Sequence, residues 1–368
     1  MSGPGVLVCA GGGGVGKTTT AAALALALAR RGHRTLVVTV DPARRLAQAM
    51  GIEIDEDVHG AHLEPEVEGL LFALMPEPRR STRTFVEVLF HDEPEALARM
   101  LANPVYATLG DALAGIHELV SLMLVARAVS DASYDYVVID TAPSRYGLDF
   151  VAYPGRLAAL LEGRAMSWFG GLAQRAAAQD DAPPKEEGRL VAWGKKRVEA
   201  AIGRILDPQT LRDVAALFAE LTLVRERFAG LARASERLLL GDSARYLLVA
   251  TPTGAAEADV RYISRKLTKL RQRPSAILVN RADEGPPPWA VALGASDLPT
   301  PPMREALEIV QRECAARQRA GDQMIADFAR TSPGTPALRL PTVEARDPSL
   351  VVRALADVLA EHMAAFGA

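Results

Sequence analysis

The run Gly11-Gly12-Gly13-Gly14-Val15-Gly16-Lys17-Thr18 satisfies the pattern Gly-x4-Gly-Lys-[Ser/Thr], and it directly follows the apolar stretch Val6-Leu7-Val8-Cys9-Ala10. Placement makes the match specific. A short buried strand, a glycine turn and an alanine- and leucine-rich helix over residues 18–30 are the strand-loop-helix context that such a phosphate loop needs. Glycines let successive backbone N–H groups turn inward around a polyphosphate, and the following helix contributes the positive end of its dipole. Lys17 then neutralises β/γ-phosphate charge, and the Thr18 hydroxyl ligates Mg²⁺. A glycine-rich loop with no such task does not require Lys-Thr at the helix start.

Composition narrows the field further. With 368 residues the chain can hold one large α/β domain with insertions or two ordinary domains. The net charge of −3 comes from interspersed acids and bases, so a nucleic-acid partner is not expected. The two cysteines, Cys9 and Cys314, lie far apart, which leaves a disulfide framework, a zinc site or a cysteine-held cluster without ligands. No leader-like N-terminus and no apolar stretch of spanning length is present, and the expectation is a soluble cytoplasmic protein.

Strand-like apolar runs recur at residues 6–10, 35–40, 70–75, 136–139, 246–250, 276–279 and 338–340, with helical patterns between them. Near-continuous apolar strands separated by helices predict an α/β fold. It is a doubly wound, mostly parallel sheet of about seven to eight strands, covered by helices on both faces. Two stretches break the alternation. Residues 81–133 read as helices at 82–90, 94–102, 107–115 and 119–130; residues 157–240 read as helices near 190–206 and 211–240. The predicted organisation is therefore a phosphate-loop core of residues 1–80, 134–156 and 241–368, with helical insertions at 81–133 and 157–240. Residues 173–189 lack an apolar period and read as a mobile loop, and residues 285–302, with their Pro-Pro-Pro run, as an irregular crossing.

Two acids end strands. Asp41 lies in Val40-Asp41-Pro42-Ala43-Arg44-Arg45, at the carboxyl end of the second run, where open α/β sheets bind ligands. There it can orient a water aimed at a γ-phosphate, or cap the helix that starts at Pro42, or do both. Asp140 ends Val137-Val138-Ile139-Asp140, the form of a Walker B element that holds Mg²⁺ through water.

The continuation Thr141-Ala142-Pro143-Ser144-Arg145 adds specificity. With Asp140-Thr141-Ala142-Pro143 as switch II and Asp41-Pro42-Ala43 as switch I, the chain resembles the ArsA-type anion-transporting ATPases, a family within the MinD/ParA class of dimeric nucleotide switches. The resemblance runs over essentially the whole chain. It implies a Mg-ATP-dependent ATPase, with Gly13, Gly14, Val15, Gly16, Lys17, Thr18 and Thr19 as the phosphate cradle. Lys17 and Asp41 are then the catalytic pair, Asp41 positioning water, while Asp140 stands near the metal with Thr18. It also implies that Asn280, with Arg281 at the end of 276–279, meets the adenine edge, and that Pro341, Thr342 and Val343 form an adenine loop. A strand-end asparagine such as Asn280, read by itself, is also commonly a turn former. In such a family ATP and ADP bind at a homodimer or heterodimer interface, and the helical insertions meet a protein client or membrane-associated partner.

The sequence departs from the resemblance at Gly12, where the family usually has a lysine that reaches the partner's nucleotide. Arg44, Arg45 or Arg145 replaces that charge, or the chain is a slow, regulatory half of a heterodimer. Cysteines for the family's metalloid or zinc sites are missing, so neither site is expected. The apolar segment 157–172 reads as core, lid or client contact. A small-molecule kinase and a DNA-positioning ATPase fit less well, for want of a polar acceptor pocket and a clustered basic segment.

Overall fold

The apolar runs line up as neighbours in one sheet. The structure, a computed structural model, describes residues 4–41, 45–52, 59–61, 63–76, 78–107, 116–131, 134–141, 208–283, 285–286, 288–294 and 300–366. Pro42-Ala43-Arg44, the stretch after Thr141, the 173–189 loop, the 157–172 segment, the 190–206 helix and nearly all of 107–115 lie outside them. Strands β1 (Gly5–Ala10), β2 (Thr35–Thr39), β3 (His59–Gly60), β4 (Leu71–Leu74), β5 (Tyr136–Asp140), β6 (Ala244–Ala250), β7 (Pro274–Val279) and β8 (Ala337–Arg339) pair in the order β3-β4-β2-β5-β1-β6-β7-β8. All neighbours are parallel except β3 and β4 at the edge. The result is the α/β, phosphate-loop architecture that the apolar strands required, with β1 at its centre.

Among the described residues the helices are α1 (Lys17–Arg30), α2 (Arg45–Met50), α3 (Pro78–Leu89), α4 (Pro94–Ala102), α5 (Ile116–Asp131), α6 (Pro208–Leu223), α7 (Arg225–Leu240), α8 (Gly254–Lys269), α9 (Pro288–Gly294), α10 (Pro301–Thr331), α11 (Pro348–Ala360) and α12 (Met363–Phe366). None is long and apolar enough to cross a membrane.

Helix α1 fixes the loop that precedes it. Alanine and leucine are strong helix formers, and every residue from Ala21 to Ala29 is buried. A helix that is apolar all round belongs inside, and α1 packs against β2 and β5 as well as α11. At its far end Gly32 takes φ +86°, which lets the His33 N–H reach the Leu28 carbonyl at 3.2 Å and end the helix. Arg30 forks onto Glu64 at 2.8 and 2.5 Å and reaches Asp357 at 2.6 Å, tying α1 to the turn before β4 and to α11.

Contacts divide the chain into two units: Met1–Glu77, Val125–Val151 and Arg237–Ala368 carry the sheet, while Pro78–Leu124 and Ala152–Glu236 carry helices. In the helical unit Phe85, Leu89, Phe90, Met100, Met123 and Phe228 form a core of their own, with the Phe85 and Phe228 rings edge to face at 6.0 Å. Asn103 stitches it by donating from Nδ2 to the Asp213 carbonyl at 2.8 Å.

Two expectations are corrected. Residues 211–240 are not one long helix: α6 ends at Leu223 and α7 starts at Arg225, with the buried Val224 in a turn between them. The 285–302 crossing is not irregular throughout. Its prolines open helices, Pro288 at the start of α9 and Pro301 at the start of α10, where the missing N–H would be unused anyway.

Removing a core side chain of α1 tests this packing. Leu26→Ala should destabilise the sheet unit by about 2–5 kcal/mol in urea unfolding. A loss below about 1 kcal/mol would mean that the helix is not enclosed as described.

Candidate functional site

Register brings three strand ends to one crevice. β5 lies between β1 and β2, with Asp140 opposite both Cys9 and Thr39. Further backbone bonds extend the ladder past the strands, from Val40 N to the Asp140 carbonyl at 3.0 Å and from Thr141 N to the Cys9 carbonyl at 3.2 Å. The glycine loop after β1, Asp41 after β2 and Thr141 after β5 therefore open at the same carboxyl edge, as ligand crevices of open α/β sheets do.

The loop is shaped by its glycines and by one buried lysine. Gly16 caps α1 at φ +94°, a left-handed conformation, and a Cβ there would strike Asn280 Nδ2. No side chain caps α1, so its first N–H groups face the crevice, a ready anion site. Lys17 is buried, and its Nζ donates to the Gly12 carbonyl at 2.7 Å. Burial lowers its pKa, against the opposing pull of Asp140 and Asp41. A cavity of about 290 Å³ opens there, lined by Gly16, Lys17, Thr18, Asp41, Arg45 and Thr141 among others.

Asp140 is fully buried. Its Oδ2 accepts from Thr18 Oγ1 at 2.7 Å and from Thr39 Oγ1 at 3.1 Å, while Oδ1 has no hydrogen-bond partner among the described residues. Burial raises its pKa to about 6, an effect that the two hydroxyls and Lys17 only partly offset. Thr39 also accepts from the Asp41 N–H at 3.2 Å, so one threonine ties both strand-end acids. The Asp41 carboxylate pairs with Arg45 at 3.3 Å. The arrangement can hold a polyphosphate on N–H groups and Lys17, with an acidic node beneath and a second carboxylate at the rim.

The remaining expected residues sort unevenly. Gly14, Thr19 and Gly16 line the cavity, and Gly13 is exposed beside it. The Val15 side chain is buried, and its carbonyl accepts from Asn280 Nδ2 at 2.8 Å. Asn280 thus braces the phosphate loop. Arg281 is exposed at φ +56°, and Pro341, Thr342 and Val343 are half-buried on the loop after β8. Neither Arg281 nor these three reaches the phosphate cavity. Of the arginines proposed to replace a lysine at Gly12, Arg45 lines the cavity, and Arg44 and Arg145 lie outside the described residues.

Three contributors escaped sequence reading. Thr39 is an ordinary β-branched strand residue until the register puts it against Asp140. Asp259 of α8 lies so close to Gly12 that a Cβ on Gly12 would meet its carboxylate, and nothing in the sequence links two positions so far apart. Asp283 accepts from Thr342 at both oxygens, from the N–H at 2.7 Å and from Oγ1 at 2.6 Å. Its signal was available in the run Asn280-Arg281-Ala282-Asp283, an acid three residues past the strand-end asparagine. Cys9 and Cys314 are both buried, and no group of three metal-ligating side chains occurs among the described residues.

Comparison with known proteins converges on the same half of the chain. Residues 5–187 match the family model of the anion-transporting ATPases. A putative arsenical pump-driving ATPase of Prosthecochloris vibrioformis is 31% identical over 140 residues, 35% of this chain and 31% of that protein. The ATPase get3 of Schizosaccharomyces japonicus is 31% identical over 143 residues, 38% of this chain and 39% of its own length. The ATPase GET3 of Podospora anserina is 31% identical over 150 residues, 39% and 42% respectively. The chain thus aligns with well under half the length of these relatives. The match spans the glycine loop, Asp41 and Asp140, the residues that the fold gathers at the carboxyl edge of the sheet. Through residues 5–187 the chain belongs to the ArsA-type anion-transporting ATPase family.

Proposed function

We propose that this chain binds Mg-ATP in the Gly11–Thr18 loop and hydrolyses it, as one half of a dimeric switch. Its helical regions, residues 81–133 and 157–240, relay the nucleotide state to a protein client or membrane-associated partner. The observation that carries the reading is the buried Lys17 beneath a glycine loop, with Thr18 bonded to the strand-end Asp140. Lys17 exchanges the Gly12 carbonyl for phosphate oxygens. Asp41 accepts a hydrogen bond from the attacking water and orients it towards the γ-phosphate. Asn280 keeps the loop in shape through Val15.

The residues present suit magnesium. Asp140 Oδ1 is buried and lacks a hydrogen-bond partner among the described residues, and the hydroxyl of Thr18 lies beside the same carboxylate. Thr18 and Asp140 would hold the ion, which when bound neutralises charge on the β- and γ-phosphate oxygens.

A second reading rests on Gly12 and makes the chain a slow, regulatory half of a heterodimer. The Asp259 carboxylate beside Gly12 leaves no room for a side chain unless it swings aside. If the chain instead turns over quickly by itself, the charge for the transition state comes from Arg45, which lines the cavity and already faces Asp41.

Turnover and binding separate the roles. Lys17→Ala should weaken ADP binding strongly, whereas Asp41→Asn should keep binding and lower turnover on the order of a hundredfold. Equal turnover for Asp41→Asn and wild type would remove Asp41 from the chemistry. Arg45→Ala should lower turnover by about tenfold or more if it serves as the cation; an unchanged, slow rate would favour the regulatory reading.

Asp140 supplies a test that reads stability. Its pKa in the folded protein, about 6, exceeds the ordinary carboxylate value of 3.8, so its contribution is present below the lower value and lost as pH rises through the higher one. Asp140→Asn should therefore raise the melting temperature of the nucleotide-free protein by a few degrees at pH 8. The gain should shrink towards zero near pH 4, while Mg-dependent nucleotide affinity is lost. A lower melting temperature at pH 8 would contradict the burial argument.

A further inference from the structure

Where the backbone ladder of β2 runs out, a side chain steers the chain. The Val40 N–H still donates to the Asp140 carbonyl at 3.0 Å, and Pro42 has no N–H to offer. Between them the Asp41 N–H donates to Thr39 Oγ1 at 3.2 Å, a turn in which a threonine hydroxyl takes the amide two residues on. The same hydroxyl donates its one hydrogen to Asp140 Oδ2 at 3.1 Å. Thr39, Asp41 and Asp140 are all buried, so these bonds meet little competition from water. The Asp41–Arg45 pair, by contrast, leaves half of the arginine side chain in solvent and holds the carboxylate weakly.

The bonds run in one direction. Asp41 donates to Thr39 and Thr39 to Asp140, whose same oxygen also accepts from Thr18 Oγ1 at 2.7 Å. A hydroxyl that donates to a carboxylate becomes a better acceptor, so Asp140 strengthens the grip on the Asp41 amide. Strand packing alone does not call for this hydroxyl. Leu36, Val37 and Val38 of the same strand are buried and apolar, and valine would fill position 39 equally well. A buried hydroxyl is favourable only with partners, and both partners here are acids of the nucleotide crevice.

We propose that Thr39 is a positioning residue for ATP hydrolysis: anchored on Asp140, it fixes the Asp41 backbone and with it the carboxylate that orients the attacking water. The inference rests on the hydrolytic reading above and adds a residue that does not itself line the phosphate cavity. Without the hydroxyl, Asp41 is left to its other contacts, and its carboxylate samples positions from which the water is misaimed. The nucleotide, held by Lys17 and the glycine loop, is bound as before. The loss therefore falls on the rate of hydrolysis and not on affinity.

Three measurements on the full chain test it together: single-turnover ATP hydrolysis with Mg²⁺, ADP titration in EDTA, and hydrogen exchange of the ligand-free protein. Thr39→Val should slow hydrolysis about tenfold or more while ADP affinity stays within about twofold of wild type. The Asp41 amide should exchange about fivefold or more faster, with the β1 amides unchanged. Thr39→Ser, which keeps the hydroxyl, should return both readouts to wild type. In an Asp41→Asn background the valine change should cost less than about twofold, because its effect passes through the Asp41 carboxylate. Should circular dichroism find the valine variant unfolded, Thr39→Ala carries the same expectations. Hydrolysis within about twofold of wild type in the folded variant overturns the proposal, as does an unmoved Asp41 amide or a loss that serine does not restore. An equal loss in the Asp41→Asn background, or a fall in ADP affinity as large as the fall in rate, overturns it as well. Normal wild-type hydrolysis with an unmoved valine variant defeats this inference alone, whereas a wild type that binds ADP but does not hydrolyse ATP defeats the hydrolytic reading with it.

Discussion

A buried ammonium organises this molecule. Lys17 sits at the first turn of a helix enclosed by sheet and α11, with its charge resting on the Gly12 carbonyl and facing Asp140 and Asp41. An ion in that position is costly unless something compensates it, and the acids at the ends of β2 and β5 supply the compensation. The sheet order follows the same logic: β5 lies between β1 and β2, so both acids converge on the loop that β1 launches. If that order were changed, Lys17 would lose its counter-charges and the crevice its floor.

The enclosed helix is what makes the loop a fixed structure. Because every residue from Ala21 to Ala29 is buried, α1 cannot slide, and its N-terminal N–H groups stay aimed at the crevice. Asn280 adds a brace from the opposite side by gripping Val15, and only glycine at position 16 leaves room for that grip. Such a site is organised before any ligand arrives, which keeps the ordering cost of binding low. The helical unit has a core of its own, in which Phe85, Phe90, Phe228, Met100 and Met123 pack with valine, leucine and alanine side chains.

Much of this was legible in the residues, and the rest was not for physical reasons. Seven apolar runs became the seven parallel strands, because strands buried on both faces must be continuously apolar. β3 escaped because His59–Gly60 is too short for any period to register. Prolines at 288 and 301 read as breakers, yet at the first turn of a helix they are starters. In the site, Lys17, Thr18, Asp41 and Asp140 were readable because strand-end position and motif agree. Thr39 and Asp259 depend on register and on long-range packing, which no local pattern encodes, whereas Asp283 lay in a readable run but its partner Thr342 did not. Asn280 was expected at a base edge, and its contact with Val15 adds a bracing role that motif matching does not contain.

The central claim is that the Gly11–Thr18 loop is a diphosphate cradle built before ligand binding and centred on Lys17. Calorimetric titration of the full chain with ADP and with AMP, in EDTA, addresses it most directly, since the two ligands differ only in the β-phosphate that the loop would enclose. ADP should bind about a hundredfold or more tightly than AMP even without metal, since charge-assisted bonds from Lys17 and the helix N-terminus act on that group alone. Equal affinities for ADP and AMP would contradict the account.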